Sequence, residues 1–265
     1  MLGLAQSSVT AQLQALERSV GEPLFIRHAR GIRPTGRADE LAARVAGPFD
    51  SLAAAIGTGP AAPVLRLGGA AEFLERVAMP ALAPLVSSGL RLDVTTALAD
   101  DLLVQLRAGT LDLVVSSVRP RGRVLPASAL CDEEFVLVAA PSRGIEPDAR
   151  PDPARLDAQP LLAYARDLPI LRRYWRHVFG VRLDREPDLV APDLRALTAA
   201  AVAGAGITVL PSYLVAGELA DGRLVSLHPT DDPPINTLYL VRRPGPLPET
   251  TAAVDAALRA AVAGL

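Results

Sequence analysis

Residues 2–37 read LGLAQSSVTAQLQALERSVGEPLFIRHARGIRPTGR. From Gln6 to Val20 the spacing predicts a helix, because Val9, Leu13, Leu16 and Val20 recur at i, i+4, i+7 and i+11 and form one apolar stripe. The opposite side carries Ser7, Ala11, Gln14 and Arg18, with Ser8 and Thr10 on its flanks. Small polar side chains of this kind reach base edges, and an arginine reaches a phosphate; the plainer interpretation is a solvated helix face. Gly21 suits the helix C-terminus and Pro23 blocks its continuation. Leu24–Arg27 and Ile32–Arg33 then read as two short strands joined through His28, Ala29, Arg30 and Gly31. A helix followed by a small basic hairpin predicts a winged helix-turn-helix.

The order LGLAQSSVTAQLQALE, GEPLFIR and RGIRPT closely resembles the DNA-binding end of LysR-type bacterial transcriptional regulators. The resemblance implies that the first helix enters the major groove, with Gln6, Ser7, Ser8, Thr10 and Gln14 at base edges. It also implies that Arg18, Arg27, Arg30 and Arg33 meet phosphates, and that the hairpin is the wing. In the family a helix and most of a second precede this point, so the expected module is a partial, N-terminally shortened one. Ala5 stands where the family usually has a capping serine, a role Ser7 can take. The shortening leaves a rival open: a cytosolic small-molecule-binding protein that no longer reads DNA.

Charge is unevenly distributed. Residues 1–37 hold five arginines (18, 27, 30, 33 and 37) against Glu17 and Glu22, a balance of +3. The whole chain carries −2, so the rest carries −5. A basic end on an acidic body fits local DNA contact better than diffuse electrostatic coating. Half of the 265 residues are hydrophobic, enough for a sizeable core, yet no apolar run is long enough to span a bilayer. A cytosolic location is expected, without membrane contact.

Thr35 reads as the N-cap of another helix, with Asp39 and Glu40 in its first turns. Leu41, Val45, Phe49, Leu52 and Ile56 continue a stripe that Gly47-Pro48 should kink, and Gly57–Pro63 reads as a linker. Strands are expected at 64–67, 90–95, 111–115 and 135–138, separated by helices from Gly69 to about Leu82 and from Asp100 to Arg107. After a proline-rich stretch at 141–160, a second set follows: strands at 161–164, 188–190, 206–210 and 238–241, with helices at 171–179, 193–203, after Pro211 and at 250–262. This alternation predicts βαβ units around a mostly parallel sheet, in two lobes with a cleft between them. Here too LRLGG, LRAGTLDLVVSS, EEFVLVAAPS and DLRALTAAAVAGAGITVLPSYL resemble the LysR effector domain.

The resulting fold class is a partial winged helix-turn-helix plus linker helix, then a two-lobed α/β domain of the periplasmic-binding-protein type. The boundaries are 1–36 for the DNA-binding module, 37–60 for the linker and dimerisation helix with its hinge, and 64–265 for the effector-binding domain. Within that domain, lobe 1 is about 64–140 and 236–265, as the family's returning last strand and helix imply, and lobe 2 about 141–235.

Ligands of open α/β sheets collect at the carboxyl ends of strands. That rule, together with the resemblance, selects Gly69, Ala70, Ala71, Ser116, Ser117, Arg166, Gly206 and Thr208 as effector-binding candidates. Family members often have Ser or Thr where this chain has Ala70-Ala71 followed by Glu72, which leaves a carboxylic-acid effector unsecured. Gly68-Gly69 lacks the G-x-G-x-x-G spacing, and neither a G-x-S-x-G elbow nor a P-loop is present. His28, His177 and His228 are scattered, and Cys131 is the single cysteine, so neither a metal motif nor a disulfide is expected. Asp132, Glu133 and Glu134 read as a solvated strand entry, and Trp175 with Tyr174 and Phe179 as core. The reading is a non-enzymatic, cofactor-free regulator. Its partners are double-stranded operator DNA, a small-molecule effector and further copies of itself, as a homodimer or homotetramer.

Overall fold

The computed structural model describes residues 6–28, 31–42, 45, 64–122, 125–148 and 152–265. These fall into two compact units, Met1–Pro63 together with Ala108–Thr110, and Val64–Arg107 together with Leu111–Leu265.

In the first unit α1 (Gln6–Val20) ends where Gly21 turns left-handed (φ +84) and donates its N–H to the Glu17 carbonyl at 2.9 Å. The strands β1 (Phe25–His28) and β2 (Gly31–Pro34) pair antiparallel. Glu17 fixes their start, since its Oε1 accepts the N–H groups of Leu24 and Phe25 at 2.9 and 3.0 Å. Thr35 caps α2 (36–42) as expected, its Oγ1 accepting from Ala38 N–H at 3.2 Å. The apolar stripe needs correction: Val9 and Leu16 are exposed, and the less exposed positions are Thr10, Leu13, Glu17 and Val20. The helix face is turned toward the side on which Glu17 grips the hairpin. The stripe beyond Val45, the kink at Gly47-Pro48 and the linker at 57–63 lie outside the described residues.

In the second unit β3 (Val64–Gly69) pairs in parallel with β4 (Arg91–Thr96) on one side and β5 (Leu113–Ser116) on the other. Between β3 and β4 runs α3, helical from Ala71 to Ser87, with a π turn at Leu74–Ala78 just before Met79-Pro80. Pro80 has no N–H to give the Arg76 carbonyl, which favours an irregular ladder there. The helix α4 (Ala99–Ala108) separates β4 from β5.

The sheet is not mostly parallel. The strand expected at 135–138 is the end of β6 (Ala127–Ala139), thirteen residues long. Residues 127–134 of β6 pair antiparallel with β11 (Ile235–Arg242), which also pairs antiparallel with β5. Residues 135–139 pair antiparallel with β9 (Thr208–Pro211) and β10 (Val225–Ser226). The chain leaves the first lobe along β6 and returns along β11, so these two crossing strands must run in opposite directions.

The second lobe adds α5 (Pro153–Asp157), β7 (Leu162–Ala163), α6 (Pro169–Tyr174, continued as a π turn to Phe179), β8 (Leu189–Val190), α7 (Leu194–Val202) and α8 (Ser212–Ala220). Buried Leu194, Leu197, Thr198 and Ala201 lie at i, i+3, i+4 and i+7 of α7, the spacing that makes a helix cover a sheet. The closing helix α9 (Glu249–Val262) packs Val254, Leu258 and Val262 with Leu65, Leu67 and Leu240.

Gly206 is required by a close approach. A Cβ there would stand 2.2 Å from the carbonyl oxygen of Pro160, which accepts the Ile207 N–H at 2.9 Å. Gly206→Ala should therefore lower unfolding free energy by about 2–3 kcal/mol, read in urea titrations, through forced separation of the 160–162 and 206–208 segments.

Candidate functional site

A cavity of about 610 Å³ opens where the strands of the second unit end, within the range of small-molecule sites. Its wall is assembled from the start of α3, the β4–α4 turn, Ser117 after β5, the middle of β6, the start of α7, and residues of α8 and β11. Much of the lining is apolar, with Ala70, Ala71, Phe73, Leu98, Ile170 and Leu238 among it.

Glu133 is the central polar group. It is 8 % exposed, which overturns its reading as part of a solvated strand entry. Alternation explains the burial, since 133, 135 and 137 point the same way along β6 and Phe135 and Leu137 are buried. Its Oε1 accepts from Asn236 Nδ2 at 2.9 Å and its Oε2 from Tyr213 Oη at 3.2 Å. Burial pushes the Glu133 carboxyl up to about 7; the bonds from Asn236 and Tyr213 pull the other way, the charge of Glu72 adds to the rise, and Arg173 opposes it. Glu72, in the first turn of α3, is likewise raised by burial, while the hydrogen bond from its own backbone N–H lowers it. The Tyr213 hydroxyl is held well above its usual range by burial and the neighbouring Glu133 charge.

Asp193 caps α7, accepting the Arg195 N–H at 2.9 Å. The Arg195 guanidinium holds that carboxyl below the usual range through bonds of 3.0 Å (Nε–Oδ1) and 2.6 Å (Nη2–Oδ2), and reaches Glu75 of α3 at 3.5 Å. Arg173 donates to the Ile235 carbonyl. Burial followed by the Glu133 and Asp132 charges raises the Cys131 thiol to about 11, which keeps it protonated and unsuited to nucleophilic work near neutral pH.

Of the expected effector residues, Ala70, Ala71 and Ser117 line the cavity. Five others do not. Gly69 backs onto Leu74, whose side chain would meet an added Cβ at 3.1 Å. Ser116 is fully buried, its hydroxyl donating to the Val118 carbonyl at 2.7 Å and accepting from the Val118 N–H at 3.1 Å. Arg166 is exposed on the turn before Leu168. Gly206 abuts Pro160, and the Thr208 hydroxyl donates to the Leu162 carbonyl at 2.8 Å. The strand-end rule points to the end of the sheet where the cavity opens, without telling which side of each strand faces the opening. Glu133, Tyr213, Asn236 and the Asp193–Arg195 pair were missed; for Glu133, the in-phase neighbours Phe135 and Leu137 were the available signal.

On α1, Gln14 and Arg18 are exposed and Thr10 is half-buried. The Arg18 Nε donates to the Gln14 carbonyl at 3.3 Å. Arg33 on β2 is exposed, whereas the side chains of Gln6, Ser7, Ser8 and Arg27, and the whole of Arg30, lie outside the described residues. No group of His, Cys, Asp and Glu able to hold a metal, and no helix long and apolar enough to cross a membrane, occurs among the described residues.

The raised Glu133 carboxyl binds a proton in the folded chain at pH values where the unfolded chain has released it. Its contribution is complete below the ordinary value of 4.5 and is lost as pH rises through about 7. The Glu133→Gln variant lacks this ionisation. Its urea-derived stability should gain on the parent's by about 1.4 kcal/mol per pH unit across that window; parallel pH profiles would refute the assignment.

Comparison with known proteins matches both parts of the chain. Residues 58–263 match the model of the LysR substrate binding domain, and residues 1–39 that of the bacterial regulatory helix-turn-helix protein, lysR family. The HTH-type transcriptional regulator AbaB of Streptomyces antibioticus is 42 % identical over 259 residues, covering 93 % of this chain and 86 % of AbaB. The regulator PtxR of Pseudomonas aeruginosa is 32 % identical, covering 86 % of this chain and 75 % of PtxR. The crystal structure of ArgP from Mycobacterium tuberculosis shares the fold, with a TM-score of 0.71 at 24 % identity over 100 % of this chain and 90 % of ArgP. The chain belongs to the LysR family: it is a LysR-type transcriptional regulator with a helix-turn-helix end and an effector-binding domain.

Proposed function

We propose that the effector binds in the cavity bounded by Ala71, Glu72, Ser117, Glu133 and Tyr213, and that its binding shifts the population of protein states that present α1 to DNA. The observation that carries this reading is the cavity itself, at the strand ends of the domain that matches the substrate-binding family model. The wall comes from separate elements, so a ligand touching several of them favours the arrangement that brings them together. The working division is 1–36 for DNA binding, 37–60 for the linker, and 64–265 for effector binding.

In the same proposal, Gln6, Ser7, Ser8, Thr10 and Gln14 read base edges, while Arg18, Arg27, Arg30 and Arg33 hold phosphates of operator DNA bound by a dimer or tetramer. The protein acts by binding rather than catalysis and works in the cytoplasm; its curated relatives AbaB and PtxR are named as regulators. Binding to the DNA upstream of the protein's own coding region, against a scrambled control, tests the assignment by fluorescence titration.

Gln14→Ala should cost about 1–3 kcal/mol on the specific DNA and little on the control. Arg33→Ala should weaken both DNAs about equally and reduce the salt slope by about one. Equal losses on both DNAs from both variants would overturn the division of labour. Absence of sequence-dependent binding by the folded chain would favour a sensor that does not read DNA.

A further inference from the structure

We propose that the effector carries a cationic head, an amine or guanidinium on an apolar body, and that Glu72 and Glu133 receive that head. This deepens the proposed function and rests on the cavity being the effector site.

The first argument concerns the start of α3. A helix N-terminus ordinarily favours an anion, because its first N–H groups lack partners. Here a carboxylate is already built in: Glu72 lies in the first turn, lines the cavity and takes the hydrogen bond of its own backbone N–H. An incoming carboxylate would meet that charge, and Ala70 and Ala71 offer it no hydroxyl.

The second argument concerns Glu133, more than nine-tenths buried on the same cavity wall. Asn236 and Tyr213 both donate to it, an arrangement made for the ionised form. Burial and the Glu72 charge oppose ionisation. The two donors leave the carboxylate short of a counter-charge. A ligand cation received by Glu72 and Glu133 offsets their mutual repulsion and compensates the cost of their desolvation.

The third argument is the state of the cavity's cations. Arg195 is engaged by Asp193 and Glu75, and Arg173 is exposed and donates to the Ile235 carbonyl. Exposed Arg173 thus stands against two carboxylates, Glu133 buried and Glu72 half-buried; the Arg195 charge also reaches Glu72 but is opposed there by that of Asp193. Leu98 and Ile170 offer apolar surface to the remainder of the ligand.

The test is thermal unfolding of the full chain at pH 8 with three probes of one length, hexylamine, hexanol and hexanoate, at matched ionic strength. Hexylamine should bind on the order of tenfold more tightly than hexanol, the scale of a hydrogen bond to a charged group. Glu133→Gln and Glu72→Gln should each bring hexylamine close to hexanol and leave hexanol unchanged. Ala71→Trp, or Leu98→Trp at an exposed position of the wall, should abolish every shift. If hexanoate gives the largest shift and both tryptophan variants remove it, the cavity is the effector site but takes an acid, and the cationic assignment falls alone. If shifts survive both tryptophan variants, the probes bind elsewhere and the cavity reading falls as well. Absence of any hexylamine shift overturns the cationic assignment, since the two carboxylates then supply no affinity for the head they are argued to receive.

Discussion

The second unit depends on one strand serving two sheets. Residues 127–134 of β6 are held by β11 and residues 135–139 by β9 and β10, so one strand carries the hydrogen-bond ladder from one lobe to the other. Glu133 and Phe135 sit at the changeover and both line the cavity. Because side chains alternate with period two, a slip of one residue would turn Glu133 outward and bring Asp132 or Glu134 in. The register is pinned on one side by a bulge, where Leu238 pairs with Cys131 but Tyr239 pairs with Ala129. That bulge changes the alternation phase N-terminal to Cys131, while Glu133 stays in phase with buried Phe135 and Leu137 and is therefore the buried acid of the Asp132-Glu133-Glu134 run.

Burying that acid has an energetic cost, and the surroundings show how it is borne. Apolar clusters flank both lobes: Leu67, Phe73 and Leu258 belong to one, Leu102, Leu106 and Val114 to another, and Leu137, Trp175 and Ile207 to a third. Fully burying a leucine contributes about 1.5–3 kcal/mol. Several such residues in each cluster outweigh a single carboxyl whose hydrogen bonds to Asn236 and Tyr213 recover part of its lost hydration. A fold can keep such a group where binding makes use of it.

Much of the architecture was legible because it rests on local signals. Thr35 announces a helix by capping chemistry, Gly21 ends one by its left-handed conformation, and the short apolar runs at 64–67 and 111–115 fall on β3 and β5, the latter starting only at Leu113. What escaped depends on partners distant in sequence. The direction of β6 and β11 is decided by the path of the chain between lobes, and nothing in EEFVLV or LYLV encodes it. The stripe of α1 was drawn from hydrophobicity alone, whereas Glu17 makes the inward contact, a hydrogen-bonding role that hydropathy counts against. In the cavity, Ser116 and Thr208 looked like ligand-binding hydroxyls, but each is turned into backbone. Residues as far apart as Glu72, Glu133, Tyr213 and Asn236 meet only once the strands are assembled.

The same assembly gives a small ligand leverage. The start of α3 is tied to α7 by Glu75–Arg195 at 3.5 Å and to α8 by Arg76–Glu218 at 3.4 Å, with Phe73 edge-on to Tyr213 at 6.2 Å. Glu75 and Arg195 are both nearly half exposed, and such a pair contributes at most about 1 kcal/mol, so it guides an arrangement more than it locks one. Glu218 is buried, and its Oε1 is shared between Arg76 at 3.4 Å and Arg223 at 3.1 Å, so the α3–α8 tie is a divided one too. A ligand reaching from α3 to β6 and α7 would add contacts to all three, and only a difference in such contacts between two states can move the equilibrium between them.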